Sequence, residues 1–262
     1  QLTVTWVGHA SLLIQLDGLN ILTDPMWSER ASPVQFAGPR RLVPPGIAFE
    51  DLPPLDVVLQ SHNHYDHLDS STVRRLVRSH REASWFVPLG LASFVQKRGA
   101  RAGAVVELDW WQESSVRSLR IAATPAQHFS SRGIGDRGDT LWCGFALTGS
   151  NGGRVYFAGD TGYHPEFGTI GERCGPFDVA LMPIGAYEPR WFMRYLHMNP
   201  EEAVAAFRSL NARVMVPMHW GTFKLTDEAM DEPPIRARAA WVAAGLPPSG
   251  YRQLAHGETL TL

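Results

Sequence analysis

Residues 61–69 read S-H-N-H-Y-D-H-L-D, and this stretch decides the fold. His62, His64, Asp66 and His67 fall within six positions. They follow the short apolar run at 56–59, which reads as a strand. A strand end delivers side chains to the rim of a sheet, where loops build sites. His62 and His64 lie two apart, so in extended chain they point the same way. Asp66 and His67 come where the chain turns toward the next element. One loop can therefore feed two neighbouring metal ions. Imidazole and carboxylate together suit Zn²⁺, Fe²⁺ or Mn²⁺. The bland alternative is a polar loop ahead of a helix, and so dense a cluster speaks against it.

Outward from the motif, short β-type runs alternate with turn punctuation. Strands are expected at 2–7, 11–16, 20–22, 56–59, 85–87, 105–108, 116–123, 141–148, 155–158, 179–184, 214–217 and 253–262. Asp17-Gly18 is a turn signal between two apolar runs. Helices are expected at 70–78, 91–98, 200–210 and 235–244. Asp69, Ser70 or Ser71 can cap the first of these. Asn199 can cap the third, with Pro200 suited to its first position and Glu201-Glu202 at its positive end. The last stops at Gly245. Residues 32–54 are rich in Pro and Arg and read as a long surface loop, a feature often functional in a compact domain. No linker divides the chain, so 1–262 is read as one α/β domain. Two mixed sheets packed face to face, with helices outside, satisfy the pattern.

The motif at 61–69 resembles the metallo-β-lactamase superfamily, whose fold is an αββα sandwich. That resemblance implies further signals in a fixed order, and each has a match. His128 ends T-P-A-Q-H after a strand. Asp160 follows the apolar run 155–158 and Gly159. His219 ends the late run 214–218. Asp24 stands at an early strand end. The likeness narrows through T-W-V-G-H-A, F-A-G-D-T-G-Y, I-G-A-Y-E-P-R-W-F-M, H-M-N-P-E-E-A-V and H-W-G-T-F. These look like the N-acyl-phosphatidylethanolamine phospholipase D-like family, over residues 2 to about 258. Carried over by position, a first metal takes His62, His64 and His128, a second takes Asp66, His67 and His219, and Asp160 bridges both. The resemblance implies two zinc ions; histidine and carboxylate ligands leave manganese and iron open. His197 matches a family histidine beside the substrate phosphate. Tyr65 and Leu196 join it as expected substrate contacts. His9, in the G-H-A turn, either supports the site or is a structural histidine. Asp24 and Asp69 are expected to orient ligands, since a ligating histidine usually needs such a partner.

His80, His164 and His256 read as surface or turn residues. The 191–196 stretch W-F-M-R-Y-L has two readings. One is core packing, and the other is an apolar groove or oligomer interface beside His197.

Composition bounds the partners. Apolar residues make up 44% and charged residues 19% of the 262, an ordinary globular balance. The net charge of −2 gives no field for nucleic acid, and none is expected as partner. Cys143 and Cys174 are too few for a disulfide framework and read as buried thiols, consistent with a reducing compartment. No apolar run approaches the roughly 20 residues of a spanning helix, and no cleavable signal is visible. The chain opens on Gln1, which implies a trimmed N-terminus. A cytoplasmic protein is expected, with peripheral membrane contact and a homodimer left open.

Two metals sharing a carboxylate can share one water, and the resulting hydroxide can attack in line at phosphorus. The expected reaction is phospholipase D-like hydrolysis of N-acyl-phosphatidylethanolamine or a related phosphodiester by a hydroxide bridging the metals. The lipid part of that expectation comes from the resemblance alone. A lactone or β-lactam hydrolase on the same site is the alternative. Asp160 speaks against β-lactamases that use Cys there. The filled ligand positions speak against a non-catalytic scaffold. His64, where flavo-diiron proteins use Glu, speaks against that class. No G-x-S-x-G nucleophile elbow is present.

Overall fold

The computed structural model describes residues 2–262. The first sheet has seven strands: β1 (Leu2–Gly8), β2 (Ser11–Leu16), β3 (Leu19–Thr23), β4 (Val57–Leu59), β5 (Ser84–Pro88), β6 (Val105–Leu108) and, at its other edge, β13 (Thr259–Thr261). Its spatial order is β13-β1-β2-β3-β4-β5-β6. The second has six: β7 (Glu113–Val116), β8 (Leu119–Thr124), β9 (Gly144–Thr148), β10 (Arg154–Phe157), β11 (Phe177–Pro183) and β12 (Ala212–Met218), ordered β12-β11-β10-β9-β8-β7. Both sheets are mixed. β1, β2 and β3 pair antiparallel and β3 to β6 parallel, while β10, β11 and β12 are parallel and β7 to β10 antiparallel.

Period-two alternation sorts the strand residues into layers. Val57 and Leu59 of β4 face inward and meet Phe157 and Leu181 of the opposite sheet in the central core. Val58, between them, faces outward to Val73 and Leu76 of α1 (Ser70–Ser79) and Val95 of α2 (Ala92–Gln96). On the other side Tyr156, Ala180 and Met215 pack against α3 (Glu166–Cys174), α5 (Pro200–Ser209) and α6 (Glu232–Ala243), through Phe167, Phe207 and Trp241. A one-turn α4 (Arg190–Met193) stands outside this core. The result is the αββα sandwich expected from the sequence.

Local chemistry explains the helix starts. Asp69 caps α1 by accepting from Ser71 and Thr72 N–H. Asn199 and Glu202 form a reciprocal capping box at α5, with Pro200 in its first turn.

Several expected boundaries move. The run 116–123 is a hairpin and not one strand. β7 and β8 flank a tight turn in which Arg117 takes φ +51°. β9 starts at Gly144, three residues after Leu141, and the last strand covers only Thr259–Thr261. α6 begins at Glu232, ahead of Ile235, with Pro233 and Pro234 in its first turn. α3 was not anticipated. Its glycines weaken the local signal, and Gly171 is needed, because a Cβ there would come 2.5 Å from the Ser209 carbonyl of α5. Residues 32–54 form a loop as expected, with a 3₁₀ turn at Phe49–Asp51 and isolated antiparallel bridges from Arg40 to Arg30 and from Arg41 to Phe223. No helix among the described residues is long and apolar enough to cross a membrane.

Candidate metal centre

The cluster forms where strand ends meet along one rim of the sandwich. β3 delivers Asp24, β4 the 61–69 loop, β8 His128, β10 Asp160 and β12 His219, while the β1–β2 turn supplies His9. Gly159 at φ +61° allows the β10 turn to close on the β4 loop, because a Cβ there would lie 2.7 Å from the Ser61 Cβ.

Two donor sets result. In the first, His62 Nε2 lies 2.9 Å from His64 Nδ1, which lies 3.1 Å from His128 Nε2. In the second, His67 Nε2 and His219 Nε2 are 3.1 Å apart, and each lies 3.3 Å from Asp66 Oδ2. His9 Nε2 approaches the same Asp66 oxygen at 2.8 Å. Asp160 Oδ2 borders both sets, at 3.0 Å from His67, 3.1 Å from His219, and 3.9 Å from both His62 and His128.

The second ring nitrogens show that these residues fit a metal. Asp24 Oδ2 accepts from His67 Nδ1 at 2.7 Å and from the Ser61 hydroxyl at 2.5 Å. Having donated its proton, Ser61 Oγ accepts from His62 Nδ1 at 2.9 Å. The Leu196 carbonyl accepts from His128 Nδ1 at 2.8 Å. These partners assign the tautomers and turn bare Nε2 lone pairs of His62, His67 and His128 into the centre. Converging lone pairs repel unless a cation lies between them. A single proton on His64 could serve only one neighbour, whereas one cation serves all three. The nitrogen and oxygen donors suit zinc among other ions.

Electrostatics agree. Burial and the neighbouring imidazoles push His62 well below the ordinary histidine range, so it stays neutral as a ligand must. Burial favours the neutral acid at Asp160, yet His219, His67 and His197 overcome it and hold the carboxyl well below its usual range. Burial likewise opposes charge on His67, but Asp160 and Asp66 outweigh it and raise it well above the ordinary range, so that with no cation at the centre a proton takes the place on Nε2 that a metal would take. The carboxylates thus draw positive charge into the centre.

His197 is buried beside this centre, its Nδ1 3.9 Å from Asp160 Oδ2 and without a hydrogen-bond partner. Arg190 fixes its backbone, donating to the His197 carbonyl at 2.9 Å and pairing with both carboxylate oxygens of Glu202 at 2.8 and 2.9 Å. Leu196, half-buried, is the residue whose carbonyl holds His128. The Tyr65 hydroxyl donates to the Arg132 carbonyl at 2.7 Å.

Three expectations need correction. Asp69 orients no ligating histidine; its carboxylate accepts from Ser28, Ser71 and Thr72 and secures the start of α1. His164 is buried and stacked on Phe167 at 4.2 Å, not on the surface. Trp191, Phe192 and Tyr195 are 79%, 52% and 57% exposed, so the 191–196 stretch is not core packing. Both cysteines are buried and free as expected. Two residues have tasks that the sequence alone does not signal: Ser61, which links Asp24 to His62, and Arg132. No local pattern marks either, because their partners are set by tertiary approach.

The family profile described as a beta-lactamase superfamily domain matches residues 19–220. The N-acyl-phosphatidylethanolamine-hydrolyzing phospholipase D 1 of Caenorhabditis elegans is 46% identical over 241 residues, covering 88% of this chain and 67% of that protein. The chain spans about two thirds of the length of the curated relatives it matches at this identity. A protein of Hyperthermus butylicus named as a metal-dependent hydrolase is 31% identical over 229 residues, covering 84% of each chain. Among solved structures, a metallo hydrolase of Ignicoccus hospitalis superposes with a TM-score of 0.72 at 26% identity, covering 99% of this chain and 97% of that one. Fold, donor sets and relatives together define a metal-dependent hydrolase. The chain belongs to the metallo-β-lactamase superfamily, in its N-acyl-phosphatidylethanolamine phospholipase D-like branch.

Proposed function

We propose that this hydrolase is a binuclear phosphodiesterase of phospholipase D type, acting on N-acyl-phosphatidylethanolamine or a related phospholipid. The observation that carries the reading is Asp160, whose Oδ2 borders both donor sets. One ion would be held by His62, His64 and His128, the other by Asp66, His67 and His219, with Asp160 shared; 1–262 would act as one domain. Bound metal supplies a water acidic enough to give hydroxide near neutral pH and positive charge for phosphoryl oxygens. The protein contributes the rest. Asp24, Ser61 and the Leu196 carbonyl keep the ligand rings in one tautomer. His197, with its free Nδ1 facing Asp160, is placed to bond a phosphoryl oxygen or to protonate the departing alkoxide.

The lipid half of the proposal is supported by the worm relative's name and by the rim. Trp191, Phe192 and Tyr195 stand exposed on the segment that leads into His197, with Arg194 among them. Aromatic side chains with an adjacent cation suit the boundary of an anionic lipid surface, so peripheral membrane contact is part of the reading. Leu196 would offer alkyl surface to the substrate. Tyr65, with its hydroxyl already committed, would offer its ring.

Hydrolysis of a phospholipid phosphodiester in ¹⁸O-water by zinc-supplemented protein tests the proposal. The expected result is about two ions bound per chain and label in the phosphatidic acid, as attack at phosphorus requires. Label in the alcohol, or no phosphodiester turnover by fully loaded protein, would overturn it.

A further inference from the structure

The 63–68 loop carries His64 of the first donor set and Asp66 and His67 of the second, yet little in its own backbone holds it. Within it, His67 and Leu68 N–H both turn back to the His64 carbonyl, at 3.1 and 2.8 Å. The carbonyls at its two ends look elsewhere. Arg132 Nη1 donates to the Asn63 carbonyl at 2.6 Å and to the Leu68 carbonyl at 2.8 Å. Among the described residues no other donor serves either one. The guanidinium lies over the rings of Tyr65 and Phe94, 3.9 and 4.9 Å from their centroids. The grip is mutual, since the Tyr65 hydroxyl returns a bond to the Arg132 carbonyl.

Arg132 is itself held in place. Asp136 accepts from the Arg132 N–H at 3.0 Å and from the Ser131 hydroxyl at 2.8 Å, folding the Gly-rich 129–138 loop back on itself. Ser131 N–H donates to the Asn63 side chain at 2.8 Å. The 129–138 loop begins directly after His128. One side chain therefore ties the loop of one ligand group to the segment of another.

We propose that Arg132 is a positioning residue for the metal centre, closing the 63–68 loop so that its ligands present a fixed geometry. A planar guanidinium can serve two carbonyls while stacking on an aromatic face; an ammonium has neither the fork nor the face. The charge makes the inference sharp. A cation beside a metal site repels the ion, so on electrostatics alone a neutral residue at 132 would tighten metal binding. Positioning predicts the opposite sign.

The inference rests on the donor sets holding metal and not on the identity of the substrate. The test is titration of chelated apoprotein with Zn²⁺ and Co²⁺, in wild type, Arg132→Met and Arg132→Lys, with circular dichroism to establish folding. Loss of an outer partner of this kind lowers metal affinity by about 10- to 100-fold. We expect such a loss in folded Arg132→Met, a smaller loss in Arg132→Lys, and an altered cobalt absorption spectrum in both. Wild-type or tighter affinity with an unchanged cobalt spectrum would overturn the proposal. If Arg132→Met does not fold, Arg132→Lys decides by the same criterion. The wild-type titration reports separately on whether the donor sets bind metal at all.

Discussion

Asp24 and His67 are 43 residues apart in sequence, yet the Asp24 carboxylate accepts from His67 Nδ1 at 2.7 Å with both side chains fully buried. The same oxygen accepts from Ser61 Oγ, which accepts from His62 in turn. One carboxylate at the end of β3 thus sets the rings of two candidate ligands, one in each donor set. Asp24→Ala should loosen both together. Outer partners of metal ligands are worth about 10- to 100-fold in affinity or activity, and a loss in that range is expected on zinc titration of apoprotein. Unchanged affinity would show that the rings are held by other means. A Ser61→Ala variant should reproduce only the part that passes through His62.

Asp160 and His197 separate binding from chemistry. Asp160→Ala removes the carboxylate that borders both donor sets, and should abolish turnover and lower metal content on elemental analysis. His197→Ala should leave metal content intact and reduce kcat/KM by about 10²-fold or more, the range for a positioned acid–base group. Metal loss in His197→Ala would move it into the ligand set. An unchanged rate would make it structural.

What the sequence revealed follows the range of the interactions. His62, His64, Asp66 and His67 were legible because their spacing is local and a strand end fixes their direction. His128, Asp160 and His219 come together only through the sheets, and were legible because each ends a recognisable apolar run in the family order. The layers followed from strand runs with helices between them and from the family resemblance. α3 did not, since Gly168 and Gly171 obscure its pattern and packing of Phe167 and Ile170 supplies what propensity lacks. The β7–β8 hairpin was hidden because its turn lacks Gly or Asn, leaving Arg117 in a positive-φ conformation. Asp69 was misassigned because a cap and a ligand partner look alike in sequence, and only the structure shows that its oxygens face Ser28, Ser71 and Thr72.

His164 should give the protein a defined acid sensitivity. Burial against Phe167 pushes it down to about 4, and its Nε2 has no partner to lose. A histidine that is neutral when folded and titrates at 6.5 when unfolded takes up its proton preferentially in the unfolded chain. Its contribution to stability is complete above pH 6.5 and declines as pH falls toward 4. The slope for one such group is at most about 1.4 kcal/mol per pH unit. Urea unfolding of chelated wild type and His164→Phe at pH 7.5, 6 and 5 isolates it, since all other histidines titrate in both proteins. The variant should lose less stability on acidification. Parallel pH dependences would mean that His164 is not held neutral.

The last prediction concerns selectivity among lipids. Trp191, Phe192 and Tyr195 are exposed on the segment that leads into His197, and on the proposed function acyl chains should contribute to binding there. Each buried methylene is worth ~0.8 kcal/mol, and ~1.4 kcal/mol is one decade in kcat/KM. Two added carbons should therefore raise kcat/KM by about tenfold until the surface is filled. Head-group selectivity should behave differently. Leu196, beside His197, has no polar atom in its side chain, and its carbonyl is already committed to His128. That side chain cannot bond the amide of an N-acylated ethanolamine, so preference for the N-acylated head group should be weak, and Leu196→Gln should increase it. The measurement is kcat/KM over phosphodiesters of rising acyl length, each with a free and an N-acylated ethanolamine. Rates flat with chain length would remove the lipid reading and leave a small phosphodiester or lactone. A strong preference of the wild-type protein for the N-acylated series would place amide recognition elsewhere than at Leu196.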